Sequence, residues 1–321
     1  MSRLLRLTAA LVLAGLWASC ATSSGAGGQA GSGDGVSLRF AWPQDFAAQV
    51  SSTSVETKSG QRVESPERRF ELRLEGTGQE RKLITRQLPA TGPGAGSEEA
   101  RLPPTPTLVL GPAGELKRVE GIDQALAEVF KDAQSKGVPK AQQDMLAKLV
   151  GEALEQAARA RWEELLGKWN GLTLKPGEVV ERRSQMIMPF FGNTVDIQER
   201  VSLKEYVPCA EGGTDKRCVL LVLDSAMDPA GSERARSELI QRLKEFTRVN
   251  LGMPESAMPE MKVTKLQLDG SLELIAEPGT LIPHRLRDTE TAVIVMRSSD
   301  GETQDFNLKS ERREVFTSGA R

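Results

Sequence analysis

From residue 69 to residue 75 the chain alternates without interruption: Phe70, Leu72 and Leu74 on one parity, Arg69, Glu71, Arg73 and Glu75 on the other. Such a period of two serves only an extended strand with one buried face, because successive strand side chains point to opposite sides. The pattern recurs at Val36, Leu38, Phe40 and Trp42, more weakly over residues 49–57, and again over residues 82–88. These stretches predict an antiparallel meander. Thr107–Leu110 and residues 115–119 extend it as a hairpin around Gly111-Pro112-Ala113-Gly114.

The period then changes. Ile122, Leu126, Val129, Phe130 and Ala133 recur every three or four residues, and Gly137 supplies a helix stop. After Pro139 a longer helix is predicted to about Trp169, with Leu146, Leu149, Val150, Ala153, Leu154, Ala157, Trp162, Leu165, Leu166 and Trp169 on its inner stripe. Its other face, including Glu152, Glu155 and Glu163, mixes acids with bases. A single apolar stripe is suited to helix-on-sheet packing, and a mixed polar face argues against a helix lying on a membrane surface.

Alternation resumes after Lys175-Pro176-Gly177. Residues 178–188 and 194–206 read as a hairpin, residues 219–223 as a strand, and residues 232–251 as a third helix with Ser232 as N-cap and Leu239, Ile240, Leu243 and Phe246 as its stripe. Residues 262–268 and 271–276 are predicted to turn at Asp269-Gly270, residues 292–297 and 303–308 near Asp300-Gly301, and residues 312–317 form a last strand. The expectation is an α+β fold: a largely antiparallel sheet of about a dozen strands, curved or closed to a half-barrel, with three amphipathic helices packed on it. Residues 36–170 and 171–321 form either two units or one continuous domain.

The first twenty residues have another purpose. Arg3 and Arg6 precede an apolar run from Leu7 to Leu16, followed by Ala18, Ser19 and Cys20. This is the layout of a secretory signal peptide over residues 1–19, and its apolar run of about 10 residues is half of what a spanning helix needs. Leu16-Trp17-Ala18-Ser19-Cys20 resembles the lipobox of bacterial lipoproteins, with Trp17 where that pattern usually has Leu. The resemblance implies that Cys20 becomes the first mature residue and carries lipid, palmitate included. The alternative for Cys20 is an ordinary signal peptide cut nearby, which leaves it as a free thiol or a disulfide partner. Residues 21–35, ATSSGAGGQAGSGDG, form a flexible tether with a reach of about 20 Å. Ala21 in place of Asp implies, on the same resemblance, the outer membrane facing the periplasm.

Of three cysteines, Cys209 and Cys218 remain, and in an exported chain they read as a disulfide. The lone histidine, His284, is remote in sequence and follows Pro283 into a strand, so it reads as structural. No metal or cofactor is expected. Lys and Arg number 42 against 44 Asp and Glu, and aromatics are 4%; no basic stripe marks a nucleic-acid binder. Gly92-Pro93-Gly94-Ala95-Gly96 lacks the Gly-Lys-Ser/Thr of a phosphate loop. Acids stand opposite bases in strands or on outer helix faces, and no catalytic residue is assigned. Met186-Ile187-Met188-Pro189-Phe190-Phe191 breaks the alternation, and methionine adapts to irregular partners. Met186, Met188, Phe190 and Phe191 are therefore the candidate lining of an apolar ligand site, the plain alternative being a hairpin end buried under helices. The layout looks like that of periplasmic lipoproteins that carry lipids in a half-open barrel. The expected function is a non-enzymatic, membrane-anchored envelope lipoprotein that binds an apolar small molecule or an envelope protein. The alternatives are a structural or assembly lipoprotein with no small-molecule site and, behind both, a carboxylate-based hydrolase.

Overall fold

The structure, a computed structural model, describes residues 35–89, 104–135, 140–187, 194–215, 217–251, 261–299 and 301–318. The first long strands are β2 (Ala47–Lys58), β3 (Gln61–Glu75) and β4 (Arg81–Gln87), followed by the short hairpin β5 (Thr107–Leu110) and β6 (Leu116–Glu120); a two-residue strand, β1 (Val36–Ser37), precedes them. Helices α1 (Ile122–Ser135) and α2 (Lys140–Trp162) come next, and α2 runs into a π turn at Glu163–Gly167. Then come β7 (Thr173–Leu174), β8 (Val179–Ile187), β9 (Thr194–Val207), β10 (Cys218–Met227), helix α3 (Pro229–Leu251), β11 (Met261–Ala276), β12 (Pro283–Ser298) and β13 (Thr303–Ser318).

Eleven strands form one antiparallel sheet in the order β6-β5-β4-β3-β2-β13-β12-β11-β10-β9-β8, and β1 pairs with β7 beside it. Each half of the sheet is a meander, as hairpin-linked strands require. The two halves meet where β2 pairs with β13, from Leu308 opposite Lys58 to Ser318 opposite Ala48. The mostly antiparallel α+β class and the three helices among the described residues agree with the sequence pattern.

Several local expectations change. Asp269-Gly270 is not a turn: β11 passes straight through it, with Asp269 opposite Ala226 and Gly270 opposite both Ser225 and Glu290. Gly270 is used for space instead, since a Cβ there would sit 2.8 Å from Ser225 Oγ. After Ser37 the predicted first strand continues as an irregular segment in which Leu38, Phe40 and Trp42 stay buried, Leu38 donating its N–H to Leu172 O and Phe40 donating to Asn170 Oδ1. Helix α3 begins at Pro229, whose missing N–H costs nothing in a first turn. Ser232 therefore lies inside the helix, its N–H bonded to Asp228 O.

The larger core gathers Leu38, Trp42, Leu72, Leu110, Leu165, Leu166, Trp169, Leu203, Leu221 and Leu274, among others. Gly114, at φ +85°, turns the β5–β6 hairpin where the Phe40 ring leaves no room for a side chain, and its carbonyl accepts the Trp162 indole N–H at 2.8 Å. A smaller cluster joins Val195, Ile197, Met227, Ala235, Leu239, Val263, Leu266 and Ile294. Cys209 and Cys218 are joined as a disulfide.

Candidate functional site: a charged band across the buried face

Residues paired directly across antiparallel strands share a face, so the register can be followed side chain by side chain. One row runs Arg182 (β8), Glu199 (β9), Ser225 (β10), Gly270 (β11), Glu290 (β12), Ser310 (β13) and Glu56 (β2). The next row runs Val201, Leu223, Leu272 and then Asp288, Arg312 and Ser54. The row after that runs Leu203, Leu221, Leu274, Leu286 and then Glu314 and Ser52. Polar side chains thus form a band on the face that carries the core. The band widens toward β13 and β2 and separates the two apolar clusters.

The segment between α2 and β7 meets this band with charges of its own. A π turn takes in more residues than an α turn and rotates the residues beyond it. Glu163 and Glu164 open this turn and are buried, alongside Leu165 and Leu166. The sequence pattern assigns Glu163 to the outer face; the end of the helix is instead covered on that side too, since Ala160, one helical turn earlier, is buried.

Glu164 lies 2.7 Å from Arg312 and 3.2 Å from Arg161. Arg161 also reaches Glu314 at 2.6 Å, and Arg312 reaches Asp288 at 3.1 Å. On the other side of the turn, Lys168 Nζ lies 2.7 Å from Glu199 Oε1, and Arg182 Nε lies 2.6 Å from Glu199 Oε2. Desolvation would raise the pKa of both Glu164 and Glu199, but the cations outweigh it: Arg312 and Arg161 hold Glu164 below the usual carboxylate range, and Lys168 and Arg182 do the same for Glu199. Other carboxylates go the opposite way. Desolvation pushes Glu163 up to about 7 and Asp288 up to about 6, against the pull of the neighbouring cations. Glu290 rises to about 8; part of its surface still meets solvent, yet desolvation is the main cause, followed by repulsion from Asp288. The band therefore holds permanently charged pairs next to acids that exchange protons near neutrality.

Three polar atoms in and beside this band, Glu163 Oε2, Arg182 Nη2 and Ser184 Oγ, are buried without a hydrogen-bond partner among the described residues. Arg182 and Ser184 share the buried face of β8, and the charge of Arg182 acts on Glu163. Buried polar groups are ordinarily satisfied, so this corner has donors and an acceptor to offer a polar atom of a ligand or a water.

Comparison of the chain with protein-family models, with curated proteins and with solved structures returned no match.

The sequence candidates fare unequally. Cys20, Met188, Phe190 and Phe191 lie outside the described residues. The backbone of Met186 lies in β8 opposite Val195, a member of the smaller cluster. His284, read as a remote structural residue, lies beside the Cys209–Cys218 disulfide, within 4.8 Å of both sulfurs by its nearer ring nitrogen. The sequence pattern does not announce the charged band, although it carries a signal: Asp288 and Glu290 have the parity of Leu286, Ala292 and Ile294, and Arg312 and Glu314 that of Leu308 and Phe316.

Proposed function

We propose that the protein is a lipid-anchored envelope protein, held at the outer membrane through Cys20, whose sheet curls into a half-open barrel and holds an apolar or amphiphilic small molecule in the smaller apolar cluster beneath α3. The reading rests on the make-up of that cluster. Met227, Val263, Leu266 and Ile294 each keep 4 to 8% of their surface exposed, and Ile240, Leu268, Met296 and Phe306 pack against them only partly buried. Flexible, incompletely covered apolar side chains suit a site that accepts varied apolar shapes. The backbone of Met186 pairs with that of Val195, a member of the cluster, and the charged band lies along its other side to receive a polar headgroup.

The curl is supported by a span argument. Trp162 bonds to Gly114 of the β5–β6 turn and Lys168 to Glu199 of β9. The six residues from Trp162 to Lys168 advance at most about 9 Å, the α-helical limit, while β5 and β9 lie eight positions apart in strand order, about 38 Å in a flat sheet. Two side chains do not bridge that difference, and a curved sheet removes it.

Native mass spectrometry of protein extracted in mild detergent, together with the fluorescence of an apolar naphthylamine probe, tests the reading. The expected result is a bound mass above that of the lipidated chain and probe binding that Ile294→Asp abolishes while the circular dichroism spectrum stays unchanged. A bare chain mass with no probe binding would overturn it and favour a structural or assembly role.

A further inference from the structure

Four consecutive strands end at one margin of the sheet, and their ends bring together residues that the sequence keeps apart. Cys209 follows β9, Cys218 opens β10, Glu277 follows β11 and His284 is the second residue of β12. One ligand atom each from Cys209, Cys218 and His284 lies within 4.8 Å of the other two. His284 Nε2 is 3.2 Å from Glu277 Oε1, and Thr280 Oγ1 donates to Glu277 Oε2 at 3.0 Å, so the carboxylate is itself held. The turn that carries Glu277 is fixed by the N–H of Leu281 bonded to Glu277 O. Leu281 is a buried residue at φ +56°, and its carbonyl accepts the Trp42 indole N–H. Arg285 ties the cysteine loop to β12 by donating to Pro208 O.

We propose that this cluster is a redox-gated zinc site: with the disulfide reduced, Zn²⁺ binds both thiolates and a ring nitrogen of His284, and the disulfide is its closed, metal-free form. Two sulfurs and one imidazole are the donors zinc prefers, and three protein ligands leave a fourth position open. Glu277 takes the second-shell role: it accepts the Nε2 proton and turns Nδ1 to the metal, the carboxylate–histidine–zinc arrangement. Bond lengths of about 2.3 Å to sulfur and about 2.0 Å to nitrogen put neighbouring donors roughly 3.5 to 3.8 Å apart. The cluster reaches that spacing by side-chain rotation once the sulfurs are free to separate, since the two Cα atoms are already 5.1 Å apart.

A dithiol reductant opens the site. Its thiolate attacks the sulfur of Cys209, which is partly exposed while Cys218 is buried. The Cys209–Cys218 bond breaks, Cys218 leaves as a thiolate, and a mixed disulfide forms on Cys209. The second thiolate of the reductant attacks its own sulfur in that mixed disulfide, releasing Cys209 as a thiolate and leaving the reductant as a disulfide. Two electrons have then reached the cysteine pair. Any proton the two thiolates pick up is released again when Zn²⁺ binds.

The test uses the full chain in mild detergent, oxidised or reduced with a phosphine and freed of reductant without air. Zn²⁺ is titrated against a chromogenic chelator and Co²⁺ serves as a spectroscopic probe. The expected result is one tight metal in the reduced protein only, with a thiolate-to-cobalt charge-transfer band. Reduced Glu277→Gln should bind about 10- to 100-fold more weakly, reduced His284→Ala or His284→Gln at least as weakly, and Cys209→Ser/Cys218→Ser not at all. Zinc should raise the melting temperature of the reduced wild-type chain and not that of reduced His284→Gln, which reports on the site even if reduction loosens the fold. Reduced wild type that binds no better than the oxidised form, His284 variants that bind as tightly as wild type, or a melting temperature indifferent to zinc would each overturn the proposal.

Discussion

Lys168 Nζ lies 2.7 Å from Glu199 Oε1, with only 2% of the lysine side chain and 3% of the glutamate exposed. A lysine this deep is tolerated because its charge is met at contact distance, and Arg182 shares the same carboxylate at 2.6 Å. Removing one partner strands the other charge in a poorly solvated site, which typically costs about 3 to 5 kcal/mol, whereas replacing both by apolar groups is often neutral. Lys168→Met leaves Glu199 with Arg182 as its partner and should lower unfolding stability in urea by less than that, about 1 to 3 kcal/mol. Lys168→Met with Glu199→Leu should recover most of it, unless Arg182, left without its partner, takes over as the stranded charge; adding Arg182→Met separates the two cases.

The raised and lowered carboxylates of the band give opposite slopes of stability with pH. Glu290 binds its proton more tightly folded than unfolded, so its contribution is complete below about pH 4.5 and fades as pH rises toward 8. Glu164 and Glu199, with lowered values, contribute above the ordinary carboxylate range and lose that contribution as pH falls. Glu290→Gln keeps the neutral shape and removes the titration. Urea unfolding at pH 5 should find this variant close to wild type, and at pH 8 should find it more stable; equal differences at the two pH values would show that Glu290 does not hold its proton.

Gly270 lies opposite Glu290 with Ser225 on its other side, and a Cβ would come within 2.8 Å of Ser225 Oγ. Gly270→Ala should cost about 1 kcal/mol by crowding. In the Ser225→Ala background the clash disappears and the entropic advantage of alanine over glycine, about 0.5 to 1 kcal/mol in a strand, should reverse the sign. A double-mutant cycle measured by thermal unfolding checks this, and strict additivity would contradict it.

Cys20→Ala tests the anchor. Lipidation at Cys20 with the tether behind it predicts that the variant leaves the membrane fraction for the soluble one, with the folded body unchanged by circular dichroism. Unaltered membrane association and no incorporation of labelled fatty acid into wild type would remove the lipid anchor from the account. Among the described residues no helix is long and apolar enough to cross a membrane.

Alternation at Phe70, Leu72 and Leu74, the helical stripe ending in Leu165, Leu166 and Trp169, and the cysteines around a Gly-Gly loop were all readable by eye. They predicted the antiparallel class, the helix count and the disulfide, because period and local composition are properties of neighbouring residues. Asp269-Gly270 misled for the same reason: the dipeptide favours a turn, but ladder pairing on both sides of β11 and the space beside Ser225 held it straight. Three features belonged to the tertiary structure alone: the pairing of β2 with β13, the burial of Glu163 and Glu164 against the charged band, and the meeting of His284 with Cys209 and Cys218. Each depends on which distant strands lie side by side, and strand order is set by how the whole apolar face is buried, a sum over the chain that no local window contains.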